Sequence, residues 1–401
     1  MNVCLVSAAY RPFPSGVGEH VHHLGLALQA RGHSVQILSL NYPSSLAPHP
    51  SPLAPHPSPP APHPPPHIER MGRVLVLPAN RSHFTLAVGL RLAGQVRRFL
   101  ARGRFDIVHC HGIFPPDISY WAATTSSAPV VVTFHTYRAR VPKRLPALLR
   151  ALFPGLGGRV GQRIAVSEAC RRYSEAWFPG SYHVIPNGVD ISRFRPDATA
   201  PESMRGTGPV ILFVGRLDER KGLPVLIRAM RLVGEQVSDA RLVVVGSGPL
   251  DGQCRRLAAE LGIAHRVAFA GRVIDADLPG YYASSTVFCS PALGGEAMGI
   301  VLIEAMAAGK PVVASAIAGY DEVIRSGVDG RLVPAGDAAA LAAGLTELLK
   351  SEPERRRLSE NALARVQRYA WPRVAARVES VYFECPKSPT IQPGVRPSFR
   401  D

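Results

Sequence analysis

Short apolar runs recur along the chain, and segments with helical periodicity separate many of them. In the first half the runs are NVCLVSA, SVQILSL, VLVLP, FDIVHCH, APVVVTFH, RIAVS and YHVIP, with helices predicted from the first glycine loop to Ala30 and over about 84–101. In the second half they are VILFVG, RLVVVG, VAFAG, TVFCSP and PVVAS, with closing helices to about residue 384. Fully apolar strands that alternate with helices are typical of parallel sheets covered on both faces. The pattern predicts an α/β protein built from doubly wound sheets.

Length and turn-forming residues divide this pattern into two parts. A chain of 401 residues is too long for one typical domain, so two domains of roughly 180 residues are expected. We place an N-terminal domain at 1–192, a linker containing proline and glycine at 193–209, and a C-terminal domain at 210–370. A closing helix over 371–384 and a frayed tail over 385–401 complete the prediction.

Residues 46–66 interrupt the first domain with three seven-residue units, LAPHPSP, LAPHPSP and PAPHPPP. So much proline predicts a polyproline-II excursion on the surface. Its histidines, His49, His56 and His63, together with His67, offer nitrogen ligands for a metal, but no pattern holds them in a fixed cage. A tandem expansion in a tolerant loop is the favoured interpretation.

Charge is concentrated in the first half of the chain. Residues 1–190 hold 19 Lys and Arg against 7 Asp and Glu, a net of +12, whereas the remaining 211 residues hold 27 against 23, a net of +4. This asymmetry suggests an acidic partner such as anionic lipid or nucleic acid.

The six scattered cysteines lack metal-site spacing, the N-terminus lacks the features of a signal peptide, and no apolar run reaches about 18 residues. We therefore expect a cytoplasmic protein with buried free thiols.

The stretch GGEAMGIVLIEAMAAGKPVV, residues 294–313, carries the strongest chemical signal. Glu296 lies in a glycine-bracketed loop after one apolar strand, and Glu304 lies on the helix that begins near Gly299. Glycines let backbone approach a ligand, and a helix N-terminus favours an anion such as a diphosphate. The two carboxylates can then bind hydroxyl groups of a sugar and a ribose. The alternative from the residues alone is an ordinary βαβ unit with one surface and one helix glutamate.

Other candidate residues also follow apolar strands. Arg216 and Lys221 lie on the loop after VILFVG, where two cations can neutralise a diphosphate leaving group. His135 ends the VVVTF strand, and an H-x-H pair, His109 and His111, ends FDIVHCH. Such a pair is compatible with zinc, although no third ligand is evident in the sequence nearby.

Several motifs in order resemble the retaining glycosyltransferases of family four, which have the two-domain GT-B fold. These motifs are SGVGEH, VVTFHTY, RIAVSEA, VIPNGVD, VGRLDERKG, VVVGSGP and the E-x7-E block GGEAMGIVLIEAMAAGKPVVAS, and together they extend over nearly the whole chain. GGEAMGIVLIEAMAAG and VVTFHTY are most similar to the phosphatidylinositol mannosyltransferases of bacteria. The resemblance implies two Rossmann-like domains facing a central cleft, with acceptor bound by the first domain and nucleotide sugar by the second.

The resemblance also implies roles for individual residues. The catalytic group is His135, Arg216, Lys221 and Glu296. Donor binding is assigned to Gly16, Gly18, Arg216, Lys221, Val273, Asp275, Glu296, Met298, Gly299, Ile300, Val301 and Glu304, and His111 is assigned to the acceptor. Such enzymes need no metal or other cofactor, because Arg, Lys and helix N-termini supply the positive charge.

A lipid acceptor would bring the protein to a membrane. On the helix predicted over 84–101, an apolar stripe formed by Leu92, Val96, Phe99 and Leu100 is flanked by Arg91, Arg97, Arg98 and Arg102. One interpretation is a basic amphipathic surface that docks on anionic lipid at the inner face of the plasma membrane; the other is a core helix with a solvated basic edge.

The resemblance implies transfer of mannose from GDP-mannose to a phosphatidylinositol-type lipid, and three other functions are alternatives to it. The same chemistry with a UDP-sugar and a polysaccharide or small-molecule acceptor remains open. A sugar-nucleotide epimerase of the same fold is disfavoured by the E-x7-E block. Nucleic-acid binding is disfavoured because the basic residues show neither interleaved aromatic residues nor a recognised motif.

Overall fold

The computed structural model describes residues 1–11, 15–42, 64–79, 82–88, 91–113, 117–138, 159–204 and 206–386. They form two α/β domains, each built around one sheet. Strand order in the first sheet is β4-β3-β2-β1-β5-β6-β7-β8, and in the second it is β11-β10-β9-β12-β13-β14. The order reverses between β1 and β5 in the first sheet and between β9 and β12 in the second. Crevices at such switch points are where open α/β sheets bind ligands.

The N-terminal sheet is parallel except at one edge. Its strands are β1 (Asn2–Ser7), β2 (Ser34–Asn41), β3 (His67–Ala79), β4 (Ser82–Val88), β5 (Ile107–His111), β6 (Val130–Phe134), β7 (Gln162–Ala165) and β8 (His183–Val184). The described helices of this domain are α1 (Gly16–Ala30), α2 (Leu92–Gly103), α3 (Ile118–Thr125) and α4 (Glu168–Glu175). Only the β3–β4 pair is antiparallel among the described strands.

The C-terminal sheet is parallel throughout its described strands. These are β9 (Val210–Val214), β10 (Arg241–Val245), β11 (Val267–Gly271), β12 (Val287–Ser290), β13 (Val312–Ser315) and β14 (Arg331–Val333). Their helices are α5 (Leu223–Gln236), α6 (Asp251–Glu260), α7 (Leu278–Ser284), α8 (Ile300–Ala307), α9 (Ala338–Lys350) and α10 (Glu352–Val366). The chain then ends its described part with α11 (Trp371–Glu384).

The helix predicted over 84–101 is wrong in its first part. Ser82–Val88 is a strand that pairs in a hairpin with β3, from Ser82 opposite Ala79 to Val88 opposite Arg73. The helix begins only at Leu92. In the sequence, apolar residues at 84, 86 and 88 are followed by the apolar residues of the helix, so one amphipathic pattern extends across the junction.

Helix α11 returns to the N-terminal domain. Trp371, Val374 and Tyr382 are buried in the same cluster as the β1 residues Val3 and Leu5. At its surface, Glu379 accepts hydrogen bonds from Arg31 and pairs with His33 at 2.6 Å. The closing helix therefore packs on α1, and these contacts join the end of the described chain to the N-terminal domain.

The predicted linker, 193–209, is irregular over most of its described length but firmly packed. Phe194 and Met204 are 3% and 5% exposed and belong to the core of the C-terminal domain. Val189, before the predicted boundary, belongs to that core as well and forms an isolated bridge with Ala370. Packing with the second domain thus begins before residue 193.

Most of the predicted proline-rich excursion, 46–66, lies outside the described residues. The described chain resumes at residue 64, and Pro66 is already buried. A Cβ placed on Gly25 of α1 would lie 3.1 Å from Pro66 Cγ. The excursion therefore ends before Pro66.

The predicted tail, 385–401, is described only at its first two residues, and Cys385 is buried there. All six cysteines are free and buried, as predicted.

Candidate active site

The carboxyl ends of the central strands of both sheets face one cleft. The N-terminus of α1 points into it from the first domain and that of α8 from the second: a Cβ placed on Gly16 would lie 3.9 Å from Ile300 Cδ1. Ser15 caps α1 by accepting a hydrogen bond from the Gly18 N–H at 3.3 Å. Two helix N-termini with free N–H groups create a site that favours an anion between the domains.

Glycines at the cleft are required by close packing. A Cβ on Gly18 would lie 3.2 Å from the backbone of Ala9 and Tyr10, which is tighter than an ordinary contact. Gly299, immediately before α8, has φ of +80°, and a Cβ there would lie 2.5 Å from Tyr320 Cε1. Tyr320 is fully buried and shares a hydrogen bond with Ser290 at 2.8 Å. A side chain at residue 299 would therefore push α8 away from the cleft.

Glu296 and Lys221 form an ion pair in the cleft. The Lys221 Nζ lies 3.0 Å from Glu296 Oε1, and their side chains are 17% and 11% exposed. Asp218 orients this lysine, since its carboxylate accepts the Lys221 backbone N–H at 3.3 Å and also pairs with Arg220. Two residues predicted from separate motifs are thus brought together at the switch point of the second sheet.

Arg216 lies on the same loop but is exposed, and no ion pair joins it to any residue that the structure describes. Its guanidinium remains available for a ligand. Met298, Ile300 and Val301 surround the start of α8, and Met298 Sδ accepts the Asn187 N–H at 3.1 Å from the other side of the cleft. These positions agree with the predicted donor site, and the binding roles remain predictions.

Glu304 is held by a residue that the sequence did not single out. The Tyr282 hydroxyl donates to Glu304 Oε2 at 2.7 Å. Burial raises the pKa of Glu304, while the hydrogen bond from Tyr282 and the charge of Arg193 act in the opposite direction. Tyr282 is itself fully buried, so it fixes one carboxylate oxygen and leaves the other for a ligand.

The loop predicted to meet the nucleotide base is tethered by Arg193. This arginine, at the start of the predicted linker, pairs with the Asp275 carboxylate at 2.7 Å and also donates to the Asp275 carbonyl. Val273 is half-buried and packs against the C-terminal core. The residues between β11 and α7 are therefore anchored, although Asp275 itself is exposed.

Four imidazoles cluster at the ends of β5 and β6. His111 Nδ1 lies 3.1 Å from His135 Nε2, and His20 of α1 packs against both rings, with ring centroids 5.3 and 4.7 Å away. His20 and His111 are each 4% exposed, whereas His135 keeps part of its surface. Burial lowers the pKa of His135 to about 4 and those of His20 and His111 well below the usual value, so these rings are neutral at pH 7.

His109, the fourth member, has a structural role. Its two ring nitrogens bond to the Tyr382 hydroxyl and to Thr133 Oγ1, each at 2.7 Å. The H-x-H motif therefore does not form a two-ligand zinc pair, because these bonds occupy both ring nitrogens of His109. His111 is deeply buried and contacts His135, so its predicted role at the acceptor would depend on movement of its neighbours.

Helix α2 presents a basic edge but no free apolar face. Leu92, Val96 and Leu100 are at most 5% exposed and pack in the N-terminal core, with Phe99 against them. The apolar stripe therefore packs in the protein core, as in the alternative of a core helix with a basic edge, and docking of that edge on anionic lipid stays a prediction. The arginines of the flank are all exposed, and none is paired with a carboxylate in the described chain; they are Arg91, Arg97, Arg98 and Arg102.

A pocket of about 490 Å³ lies beside this basic edge. Its lining residues are Glu69, Arg70, Met71, Gly72, Gln95, Arg98, Phe99 and Arg102. Within the described residues, no helix is both long enough and apolar enough to cross a membrane.

Sequence reasoning missed Tyr282, Arg193, His20 and Tyr320. Three of them act through packing or hydrogen bonds on another residue, which no linear motif reveals. His20 had a weak signal, because the run HVHH places one histidine on the buried face of α1. In the sequence, His20 stands out only as the last residue of the SGVGEH motif.

Comparison with known proteins agrees with this arrangement. The model for "Glycosyltransferase Family 4" matches residues 14–193, and that for "Glycosyl transferases group 1" matches residues 195–365. A phosphatidyl-myo-inositol mannosyltransferase of Mycobacterium leprae is 36% identical over 376 residues, covering 92% of this chain and 93% of the relative. One of Propionibacterium freudenreichii is 30% identical, covering 95% and 94%.

A crystal structure of a glycosyltransferase from Rickettsia africae matches with a TM-score of 0.74 and 20% identity, over 96% of this chain and 98% of that one. At that identity the match concerns the fold, and it confirms the two-domain GT-B architecture. Taken with the matched family models and the extent of identity to the relatives, this shows that the chain belongs to glycosyltransferase family 4 and is a glycosyltransferase of the GT-B fold.

Proposed function

We propose that this glycosyltransferase moves mannose from GDP-mannose to a phosphatidylinositol-type lipid, with retention of the anomeric configuration. The observation that carries the proposal is the 36% identity, over 92% of the chain, to a phosphatidyl-myo-inositol mannosyltransferase. The cleft supplies what that reaction needs: paired helix N-termini for a diphosphate, carboxylates for hydroxyl groups, and cations for the leaving group.

The leaving diphosphate gains negative charge as the glycosidic bond breaks. Lys221 and Arg216 at the end of β9, with the N–H groups before α8, would stabilise this charge. Glu296 would accept hydrogen bonds from sugar hydroxyls, and Glu304, fixed by Tyr282, from the ribose. In a retaining reaction without an enzymic nucleophile, the acceptor attacks the face that the nucleotide leaves, and the diphosphate takes the acceptor proton.

Catalysis in this proposal needs no metal ion. The positive charge around the diphosphate comes from Arg216, Lys221 and the two helix N-termini, which replace the Mg²⁺ or Mn²⁺ that other glycosyl-transfer sites would use. EDTA is therefore expected to leave transfer unchanged. Strong loss with EDTA that Mg²⁺ or Mn²⁺ restores would contradict this part of the proposal.

The acceptor is proposed to reach the cleft from an anionic membrane surface. The N-terminal domain holds the larger share of the net charge, and α2 exposes, near the pocket beside β3, arginines that have no carboxylate partner among the described residues. Each cation near such a surface adds about 1 kcal/mol, so the contact would be reversible and weakened by salt. It would be electrostatic, because the apolar residues of α2 are buried.

A donor panel followed by transfer assays tests the proposal. Thermal shifts with GDP, UDP and their sugars identify the base, and GDP-mannose is expected to give the largest stabilisation. Radiolabelled mannose should then enter a chloroform-soluble product when phosphatidylinositol is present. Stabilisation by a UDP-sugar alone, with label entering only water-soluble glycans, would favour the alternative donor and acceptor and overturn the proposal.

A further inference from the structure

We propose that His20, His111 and His135 form a site for a divalent zinc ion whose occupancy blocks the cleft. This inference goes beyond the proposed function and does not depend on which donor or acceptor is used. One ring nitrogen from each of the three histidines lies within 4.8 Å of the others. Three neutral imidazoles are a ligand set that zinc accepts, with the fourth position open.

Two of the three rings have ring nitrogens that are not satisfied. His20 Nδ1 and His111 Nε2 are buried and have no hydrogen-bond partner among the described residues. Both side chains are more than nine-tenths buried. Leaving such a group unpaired costs about 1–3 kcal/mol, so each unpaired nitrogen lowers the stability of the folded protein without the ion. An ion that takes up these lone pairs would offset that cost.

The size and chemistry of the site select the ion. Each nitrogen binds Zn²⁺ at about 2.0–2.1 Å, which places neighbouring nitrogens about 3.3 Å apart in a tetrahedral site. The three ligand nitrogens lie within 4.8 Å of one another, so the widest pair would close by at most about 1.5 Å when the ion binds. His135, the partly exposed ring, follows β6 and can supply this rotation. Mg²⁺ prefers oxygen ligands and would not compete.

Occupancy of this site would interfere with transfer. His135 is the imidazole predicted to lie beside the sugar, and a metal would fix its ring and place a positive ion at that wall of the cleft. The N-terminus of α1, which carries His20, would be tied to β5 and β6. Zinc is thus inferred to act as an inhibitor and not as the cofactor of the reaction.

Direct binding tests the site. Metal-free protein is equilibrated with zinc chloride, passed through gel filtration, and analysed for zinc. One zinc per chain is expected for the wild type. His20→Gln, His111→Gln and His135→Gln should each weaken binding at least 10–100-fold, since even loss of a partner outside the coordination sphere has about that effect. Circular dichroism shows which variants fold. If His20→Gln and His111→Gln do not fold, the zinc content of His135→Gln decides the test, because His135 is partly exposed.

The matched control removes histidines elsewhere. The triple variant His49→Gln/His56→Gln/His63→Gln clears the proline-rich repeats and should still bind one zinc. The proposal is overturned if the triple variant loses zinc while His135→Gln keeps it. It is also overturned if the wild type retains no zinc. Co²⁺ supplies a second readout, because tetrahedral ligation by the three histidines gives an intense visible spectrum that His135→Gln should abolish.

Inhibition is measured in the same preparations. Micromolar zinc should lower transfer by wild-type protein, EDTA should restore it, and the same concentration of Mg²⁺ should have no effect. Full transfer activity by protein shown to hold one zinc at these histidines would refute the inhibitory role.

Discussion

At the residue scale, the ion pair between Lys221 and Glu296 sets the charge at the centre of the cleft. Lys221→Ala, Glu296→Ala and Arg216→Ala are each expected to lower the transfer rate by about 10²–10³, because each removes charge or positioning near the diphosphate. Steady-state kinetics on folded variants measures this. Arg231→Ala, on the far surface of α5 where its partner is Glu235, is the control. Near-wild-type turnover in all three site variants would remove the donor-site assignment.

Tyr282 should act by positioning Glu304. Tyr282→Phe removes the 2.7 Å hydrogen bond and keeps the ring, so Glu304 loses its only described hydrogen-bond donor in the cleft. We expect donor KM to rise several-fold, in line with about 1 kcal/mol for such a bond, with kcat less affected. Tyr281→Phe on the same helix is the comparison. Equal effects of both substitutions on KM and kcat would indicate general loosening of α7 instead.

Sequence alone singled out residues that line the cleft more readily than the residues that position them. Glu296, Lys221, His135 and Gly299 lie in linear motifs, where residue type and position after a strand indicate their chemistry. Tyr282, Arg193 and His20 contribute through partners far away in sequence, such as Asp275 for Arg193. Those partnerships depend on how the helices, strands and loops of each domain pack together, which no local pattern contains.

At the element scale, α2 separates an apolar core face from a basic edge. Replacing its four exposed arginines by Gln should reduce co-sedimentation with anionic vesicles at low salt, because each contributes about 1 kcal/mol near the surface; these are Arg91, Arg97, Arg98 and Arg102. High salt should release the wild type as well.

A control with the same loss of charge distinguishes location from net charge. Four exposed arginines of the C-terminal domain are replaced by Gln for this purpose: Arg228, Arg231, Arg256 and Arg356. They should leave vesicle binding nearly unchanged. If both quadruple variants lose binding equally, or if the wild type ignores anionic vesicles at low salt, the docking role of α2 is refuted.

The proline-rich repeats should be dispensable for the donor. The structure places Pro66 in contact with Gly25 on α1, so the deletion should remove 46–63 and keep that contact. Shortening a flexible loop changes its closure entropy little, and we expect unchanged donor affinity by calorimetry. A deletion variant that folds but fails to bind the nucleotide would show that the repeats belong to the site.

Patterns of apolar residues predicted most strands and the helices α1, α8 and α11, because each has its own period and a capping residue, a glycine or a proline at its start. They failed at 84–88, which belongs to the strand β4 and not to the predicted helix. A hairpin is defined by the pairing of β4 with β3, and pairing is non-local. The periodicity of α2 was predicted correctly, but periodicity does not state whether a stripe faces a sheet or a membrane.

At the scale of the whole molecule, the last described helix, α11, packs against the N-terminal domain. The Arg31 guanidinium and His33 hold the pKa of Glu379 below its ordinary value, with Arg31 the larger cause. A carboxylate with a depressed folded pKa stabilises the protein above its unfolded pKa, and this contribution is lost as pH falls through the folded pKa.

Glu379→Gln should therefore lower the free energy of unfolding by about 1 kcal/mol at pH 7, and the difference between the two proteins should shrink when the pH is lowered through the folded pKa. Urea denaturation of the two proteins at pH 7 and at a lower pH measures the difference. Glu384→Gln, on the same helix but 58% exposed and 3.7 Å from His183, should have little effect at either pH. A loss of stability for Glu379→Gln that is independent of pH would contradict the charge-based account.

The two domains meet through contacts that the sequence could not locate. Glu322 of the second domain accepts the backbone N–H groups of Glu168 and Ala169, at the start of α4, at 2.6 and 2.8 Å. With the Asn187–Met298 contact, it holds the cleft walls close together. The motifs predicted two facing domains, whereas the distance between them is set by these individual side chains.

The anomeric configuration of a lipid product tests the central claim most directly. Purified protein is incubated with GDP-mannose and phosphatidylinositol vesicles, and the extracted glycolipid is examined by NMR. The account predicts one mannose attached to the inositol through an α-linkage, the configuration of the donor. A β-linked product would contradict the retaining mechanism, and the absence of any mannosyl lipid from protein that binds GDP-mannose would contradict the proposed acceptor.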